Sequence, residues 1–458
     1  MSDMRTVHSV TRREFLAAGA GGLAAAAVGS RLAWADPPPD KKRPNVVFVV
    51  ADDMGWFNTG YQGHPVVKTP HLDDMAARGV RFDYFYPGGN VCSPGRYSIL
   101  TGRTPFRGGL YWLGGIPPHE TTVAKALKTA GYRTAHFGKW HLGICPVKMG
   151  FDEAIWSHNC YDAGFPLYVN DTKEIHTLKD GDTSVTMMDL ALDYIRRYAK
   201  GPEPFFVQVC VSAPHSPANA TPEFKALYQD GNNKYAEISG LDAAVGNLRA
   251  ELRRLEIAEN TVVWFVSDNG GHGGDNDPSG KGKLDIGART VACLEWPARV
   301  RQPIRTSVVC AHMDMFPTVL EAAGVKLSDQ PVLDGISLLP LFDGKMAQRP
   351  QPLGFMLWQQ SGGKKFAESD FVSDTQGILI DGKYKVMVHP PGFKDRRGVE
   401  APPACLYDIY EDPAEKTNLA EKMPDVVARM RKRLEAWQRS ARASYGRNEE
   451  GARKEMQG

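Results

Sequence analysis

The stretch that decides the fold is Asn45 to Trp56, NVVFVVADDMGW. Val46 to Val50 is an unbroken apolar run, mostly β-branched, which predicts a strand buried on both faces. It stops abruptly at Asp52 and Asp53. The same grammar recurs three times: YRTAHFG runs into Lys139-Trp140-His141, PFFVQVCVSA into Pro214-His215, and TVVWFVS into Asp268-Asn269. Between these runs lie helical patterns, TTVAKALKTAG closed by Gly131, VTMMDLALDYIRRYAK closed by Gly201, and a longer one around Tyr235 to Leu255. The expectation is an α/β fold with a mostly parallel central sheet and helices on both faces. Ligands of such sheets bind beyond the carboxyl ends of the strands, so four polar clusters far apart in sequence can meet in one cleft. Singly, each has a plainer reading: paired aspartates cap helices, Asp-Asn-Gly makes turns, and lone Lys or His side chains are solvated.

Outward from this core, 458 residues with 42% hydrophobic and 24% charged composition suit one large domain plus a smaller one. A formal net charge of +2, with no long block of one sign, argues against a nucleic-acid partner. Near the amino terminus, Arg12-Arg13, then Phe15-Leu16, a glycine-interrupted alanine run and Ala33-Trp34-Ala35 read as a twin-arginine export signal over 1–35. The competing reading is a membrane anchor, but the run is weakly apolar and ends at a small-x-small cleavage pattern. Residues 36–43, with Pro37 to Pro39 and Lys41-Lys42-Arg43, read as a linker. The expected location is therefore periplasmic or secreted, reached through the twin-arginine machinery without a stable membrane anchor. Seven scattered cysteines (92, 145, 160, 210, 293, 310 and 405) do not form a disulfide framework.

The polar clusters suggest chemistry. Asp52, Asp53, Asp268 and Asn269 offer only oxygen, the donor preferred by a hard divalent cation such as calcium or, less favoured, magnesium. Arg96, Lys139, His141, His215 and Lys281 offer positive charge and hydrogen-bond donors suited to a tetrahedral oxyanion. An anionic ester is the expected substrate. Cys92, in NVCSPGRYSILTGR, is by itself open to four readings: disulfide half, metal ligand, thiolate nucleophile or small buried residue.

CSPGRYSILTGR resembles the signature of the formylglycine-dependent sulfatases of the alkaline phosphatase superfamily, CxPxR followed by TGR, and GKWHLG at 138–143 resembles their second signature. ADDMGW, APHSP, VSDNGG and GKG match further segments in the same order. The resemblance implies that Cys92 is oxidised to formylglycine by a separate generating enzyme acting on the unfolded chain. One hydroxyl of the aldehyde hydrate would then attack sulfur, and the second would expel sulfate. It implies calcium on Asp52, Asp53, Asp268, Asn269 and the oxygen of residue 92. It also implies that Arg96 and Lys139 hold the hydrate, that His141 acts as the base that reopens the aldehyde, and that His215 and Lys281 hold sulfate and protonate the leaving alcohol. Two departures stand out: KLDIGARTVA after GKG matches only approximately, through Asp285, Gly287 and Arg289, which makes Lys283 a competitor of Lys281, and Gly95 stands where serine is common.

The catalytic domain is expected over 44–350. Over 351–458, GILIDG and KYKVMVHP read as short strands, followed by a helix with Val427, Met430, Leu434 and Trp437 on one face. KYKV and LYDIYEDPAEKTNLA resemble the family's carboxyl-terminal domain, which implies a smaller antiparallel sheet with that helix packed on it. Loops around Tyr111-Trp112, Ser157 to Tyr168 and Trp358 to Lys365 are aromatic and polar enough to receive a sugar or aryl alcohol. Two rivals remain: a phosphate or phosphonate monoester hydrolase of the same superfamily, and a calcium-dependent polysaccharide-binding protein with unmodified Cys92.

Overall fold

The computed structural model describes residues 8–10, 43–110, 112–161, 164–172, 175–178, 183–271, 289–358, 375–394 and 399–457. Its centre is four adjacent parallel strands: β5 (Arg133–Lys139), β9 (Phe205–Cys210), β2 (Asn45–Ala51) and β10 (Thr261–Ser267). These are the four runs expected from the sequence. β6 (Glu153–Ser157) extends the parallel set beyond β5.

On that side follow β7 (Leu167–Val169), β8 (Ile175–Leu178) and β1 (His8–Val10). On the other are β11 (Ala292–Glu295), β3 (Val80–Phe82) and β12 (Ile304–Thr306), completing eleven strands. Six of the ten pairings are parallel, and the four antiparallel ones lie outside the central five strands. Beside the sheet, β4 (Phe85–Tyr86) pairs with β13 (Cys310–Ala311).

Alternation along β2 builds two cores. Val46, Phe48 and Val50 join one cluster with α2 (Cys92–Thr101), α3 (Val123–Thr129) and α6 (Met315–Ala322). Val47, Val49 and Ala51 join the other with α1 (Pro70–Arg78), α4 (Thr183–Tyr198) and α5 (Asn233–Arg254). A strand buried on both faces has no solvent side, which is why its sequence shows no polar alternation.

The carboxyl-terminal part has the second, antiparallel sheet: β14 (Leu353–Trp358), β15 (Thr375–Asp381), β16 (Tyr384–Val388) and β17 (Ala404–Asp408). α7 (Pro424–Tyr445) lies on it through Met430, Leu434 and Trp437, with Val427 partly covered, and α8 (Glu449–Gln457) follows. Asp334 ties the two parts together. Its carboxylate accepts from Arg107 Nε and Nη2, each at 2.9 Å, from Trp437 Nε1 at 2.7 Å and from the Thr104 amide at 2.6 Å. All seven cysteines are buried and none is bonded to another, as the scattered spacing predicts. Among the described residues no helix is long and apolar enough to cross a membrane. Most of the expected export signal, and residues 36–42 of the expected linker, lie outside the described residues.

Candidate active site

The parallel register sets the strand ends level, with Ala51 opposite Ser267, Gly138 opposite Cys210, and Lys139 opposite Ser157. The next residues of each strand therefore emerge on one edge of the sheet. Asp52 and Asp53 are fully buried there. Asp53 takes a left-handed backbone (φ 63°), a conformation that costs a non-glycine residue energy and recurs at functional sites. Its amide donates to Asp268 Oδ1 at 3.2 Å, and the next amide, Met54, donates to Ser267 Oγ at 2.8 Å.

α2 enters the cluster with its amino-terminal end, where its exposed amides favour anions. Cys92 is its first residue and Arg96 lies one turn on, on the same face. Cys92 Sγ sits 3.3 Å from Asp52 Oδ1 and 3.9 Å from Asp53 Oδ1. Arg96 donates through Nε to Asp268 Oδ2 at 2.8 Å and through Nη1 to the Lys139 carbonyl at 2.7 Å. α2 can lie this close because residue 95 is glycine: a Cβ there would fall 1.8 Å from the Asp268 carbonyl oxygen. The departure from serine thus has a local cause.

Lys139 Nζ, with no exposed side-chain surface, donates to Asp52 Oδ2 at 2.5 Å and stands 3.7 Å from Cys92 Sγ. Burial and the neighbouring Asp53 would raise the Asp52 pKa, yet Lys139, Arg96 and His215 together hold it below the ordinary carboxylate value. Reciprocally, Lys139 is held charged by Asp52 against the opposing effect of burial. Burial, then the fields of Asp52 and Asp268, push the Cys92 thiol far up. An unmodified thiol here is a poor nucleophile, because the thiolate is the reactive form.

Asn269 Nδ2 donates to Asp53 Oδ1 at 2.6 Å, leaving its buried Oδ1 with no hydrogen-bond partner. His215 Nε2 lies 3.5 Å from Asp53 Oδ2. His141, also left-handed at φ 55°, is fastened to α2 by its carbonyl, which accepts from Ser93 Oγ at 2.7 Å.

Nearly all the expected residues converge. Ligand atoms of Asp52, Asp53, Cys92 and His215 lie within 4.8 Å of one another, while Asp268 and Asn269 are linked to Asp53 by hydrogen bonds. Lys281, its competitor Lys283, Asp285 and Gly287 lie outside the described residues, as do Tyr111 and 359–365. Arg289 is described and faces elsewhere, stacked between Trp56 and Tyr84 at 4.3 and 5.0 Å. Arg103 of the TGR segment also points away, pairing with Glu120 and Glu449.

One contributor had been expected only to face the leaving alcohol. The segment that begins at Ser157 enters the charged centre: Cys160 Sγ is 3.4 Å from Lys139 Nζ and 3.6 Å from Asp52 Oδ2, and the buried Ser157 Oγ has no partner. The residues present also fit a bound cation. Three buried carboxylates face two fixed cations, Arg96 and Lys139, and the unpartnered Asn269 oxygen adds a neutral donor.

Comparison with known proteins agrees with this geometry. The family model named Sulfatase matches residues 44–325. N-acetylgalactosamine-6-sulfatase of Canis lupus familiaris is 35% identical over 376 residues, covering 72% of this chain and 70% of its own. Arylsulfatase A of Homo sapiens is 30% identical over 455 residues, covering 86% and 85%. Among solved structures, Ps i-CgsB in complex with k-i-k-neocarrahexaose superposes with a TM-score of 0.74 at 24% identity, over 87% of this chain and 93% of that one, a likeness of fold.

Proposed function

The chain belongs to the sulfatase family and is a sulfuric ester hydrolase, and from that premise we propose that it cleaves sulfate monoesters of carbohydrate or aryl alcohols using formylglycine made from Cys92 and a calcium ion. The observation that carries this reading is the placement of Cys92. It stands at a helix amino terminus, against two buried carboxylates and beside Lys139, where a thiol would be held protonated and inert.

Asp52, Asp53, Asp268 and Asn269, with the residue-92 oxygen, would hold calcium, which when bound supplies charge for the sulfate oxygens and acidity for the nucleophile. The aldehyde hydrate supplies one hydroxyl for attack on sulfur and a second through which sulfate leaves. Around it, Lys139 and Arg96 are fixed cations whose positions are set before substrate arrives, so little reorganisation is needed as charge develops. His215, a quarter exposed and 3.5 Å from Asp53 Oδ2, would give the departing alcohol its proton, with Lys281 as the sulfate ligand. His141 takes the proton that lets the aldehyde re-form.

Residues 1–35 carry the chain out by the twin-arginine route after a generating enzyme has acted. The name of the N-acetylgalactosamine-6-sulfatase relative supports a sulfated sugar as substrate, and that of the arylsulfatase A relative an aryl sulfate. The test is hydrolysis by the converted protein of a panel of sulfated mono- and oligosaccharides beside an aryl sulfate and its phosphate counterpart. Release of sulfate with at most weak release of phosphate is expected. Preference for the phosphate ester would favour the rival hydrolase, and binding of polysaccharide without release of either anion would favour the non-enzymatic reading.

A further inference from the structure

The unconverted site has a donor set that the converted site lacks. One ligand atom from each of Cys92, Asp52, Asp53 and His215 lies within 4.8 Å of the others. Tetrahedral zinc takes sulfur at about 2.3 Å and nitrogen or oxygen at about 2.0 Å, which sets ligand-to-ligand edges near 3.3 to 3.5 Å. The separations here are 3.3 Å from Cys92 Sγ to Asp52 Oδ1 and 3.5 Å from His215 Nε2 to Asp53 Oδ2, while the other Asp53 oxygen, Oδ1, lies 3.9 Å from Cys92 Sγ.

The orientation of each donor also fits. His215 Nδ1 lies 2.6 Å from the Ser216 carbonyl, so it carries a hydrogen, and Nε2, turned toward Asp53, is the nitrogen that would take an ion once deprotonated, the arrangement usual for a metal-bound imidazole. Lys139 occupies Asp52 Oδ2, leaving Oδ1 on the Cys92 side. Asn269 Nδ2 steadies Asp53 through Oδ1 at 2.6 Å. Asp52, Asp53 and Cys92 are buried while His215 is partly open, which leaves an approach for an ion.

We propose that the chain with Cys92 still a thiol holds a zinc ion on Cys92, Asp52, Asp53 and His215, and that conversion of Cys92 changes which cation the site keeps. Binding needs no redox step: the ion takes the sulfur lone pair and the thiol proton passes to solvent. Oxidation of Cys92 to formylglycine replaces that sulfur by oxygen, so the soft donor is gone and the oxygen set of Asp52, Asp53, Asp268 and Asn269 favours a hard cation. The inference takes from the proposed function only that residue 92 is converted in the active form.

The experiment uses full-length protein made without a generating enzyme, shown by peptide mass to carry the Cys92 thiol, stripped of metal and titrated with Co²⁺ alone. The expected result is one Co²⁺ per chain with a near-ultraviolet sulfur-to-cobalt charge-transfer band, displaced by Zn²⁺ and not by excess Ca²⁺. Cys92→Ser and the converted chain should both lack the band, so the comparison stands even if the serine variant does not fold. His215→Ala should weaken Co²⁺ binding by about tenfold or more. Cys160→Ser should keep the band. Absence of the band from the thiol form, its presence in Cys92→Ser or the converted chain, its loss in Cys160→Ser, or unweakened binding by His215→Ala would overturn the assignment. Because the readout is spectroscopic, lack of sulfatase activity in the converted chain would count against the proposed function and leave this result intact.

Discussion

At the scale of single residues, the site rests on buried charge arranged so that removing one member unbalances the rest. Asp53 and Asp268 are both fully buried, and each is bonded to a neighbour in the cluster. Asp53→Asn or Asp268→Asn should lower kcat by more than about 100-fold, since a bound cation supplies several kcal/mol of charge stabilisation. Asp329→Asn, at an exposed position, should change kcat less than twofold, within the range of ordinary surface changes. Steady-state kinetics with metal content measured in parallel checks this; near-equal kcat in the three variants would remove the carboxylates from the reaction. Gly138 is a second point of leverage. It sits at φ 103°, and a Cβ there would lie 1.9 Å from the Cys210 carbonyl oxygen. Gly138→Ala should therefore force β5 from β9, displace Lys139 and lower thermal stability as well as activity. A variant with unchanged melting temperature and kcat would contradict this.

At the scale of elements, the strand ends carry the site and two buried histidines make them sensitive to acid. His312 has both nitrogens engaged in the neutral form: Nε2 donates to the Ser267 carbonyl at 2.8 Å, and Nδ1 accepts from the Gly88 amide at 3.2 Å. Burial chiefly lowers its pKa to about 4. His136, on β5 against Trp140 and Phe151, is lowered to about 3 by burial, only partly offset by Gln208. Folded pKa values depressed below the ordinary 6.5 give stability that is present above pH 6.5 and lost as pH falls toward 4 and 3. Each such histidine should cost about 1.4 kcal/mol per pH unit in that window. Denaturant midpoints should fall from pH 7 to pH 5, and His136→Phe should fall less steeply even if it starts lower; parallel slopes would refute the assignment. These elements also show what the sequence makes legible. β2, β5, β9 and β10 announce themselves because burial on both faces demands unbroken apolar runs, and their ends show as sudden polar clusters. β3 and β12, three residues each, are too short to carry a period, so the antiparallel flank was not legible. Cys160 was not legible as part of the charged centre, because its proximity to Lys139 arises from β5–β6 pairing and a loop, and the five-residue β6 was not expected as a strand.

At the scale of the whole molecule, the catalytic sheet and the carboxyl-terminal sheet are joined by a buried charge. Asp334 receives Arg107 as a two-point partner and Trp437 from α7, while Arg107 Nη1 reaches Ser440 and Ser444 Oγ, each at 3.0 Å. Asp334→Ala leaves Arg107 buried without its counterion and should cost about 3 to 5 kcal/mol. Denaturant unfolding followed by tryptophan fluorescence checks this; a loss below about 1 kcal/mol would show that the junction does not depend on the pair. The closed fold also sets an order of events. Cys92 is 2% exposed once the chain has folded, so under the proposed conversion a generating enzyme would reach it earlier, and a chain exported in the folded state would already carry the modification. Cys92→Ser should fold, yet react at most once per molecule, because a sulfated serine cannot expel sulfate by forming an aldehyde. The most direct measurement is the mass of the peptide containing residue 92 set against multiple-turnover sulfate release by the same preparation. The account predicts that turnover rises in proportion to the fraction of formylglycine and that the serine variant stops after one equivalent. Full turnover by protein whose residue 92 has the mass of an unmodified thiol, or sustained turnover by Cys92→Ser, would contradict it.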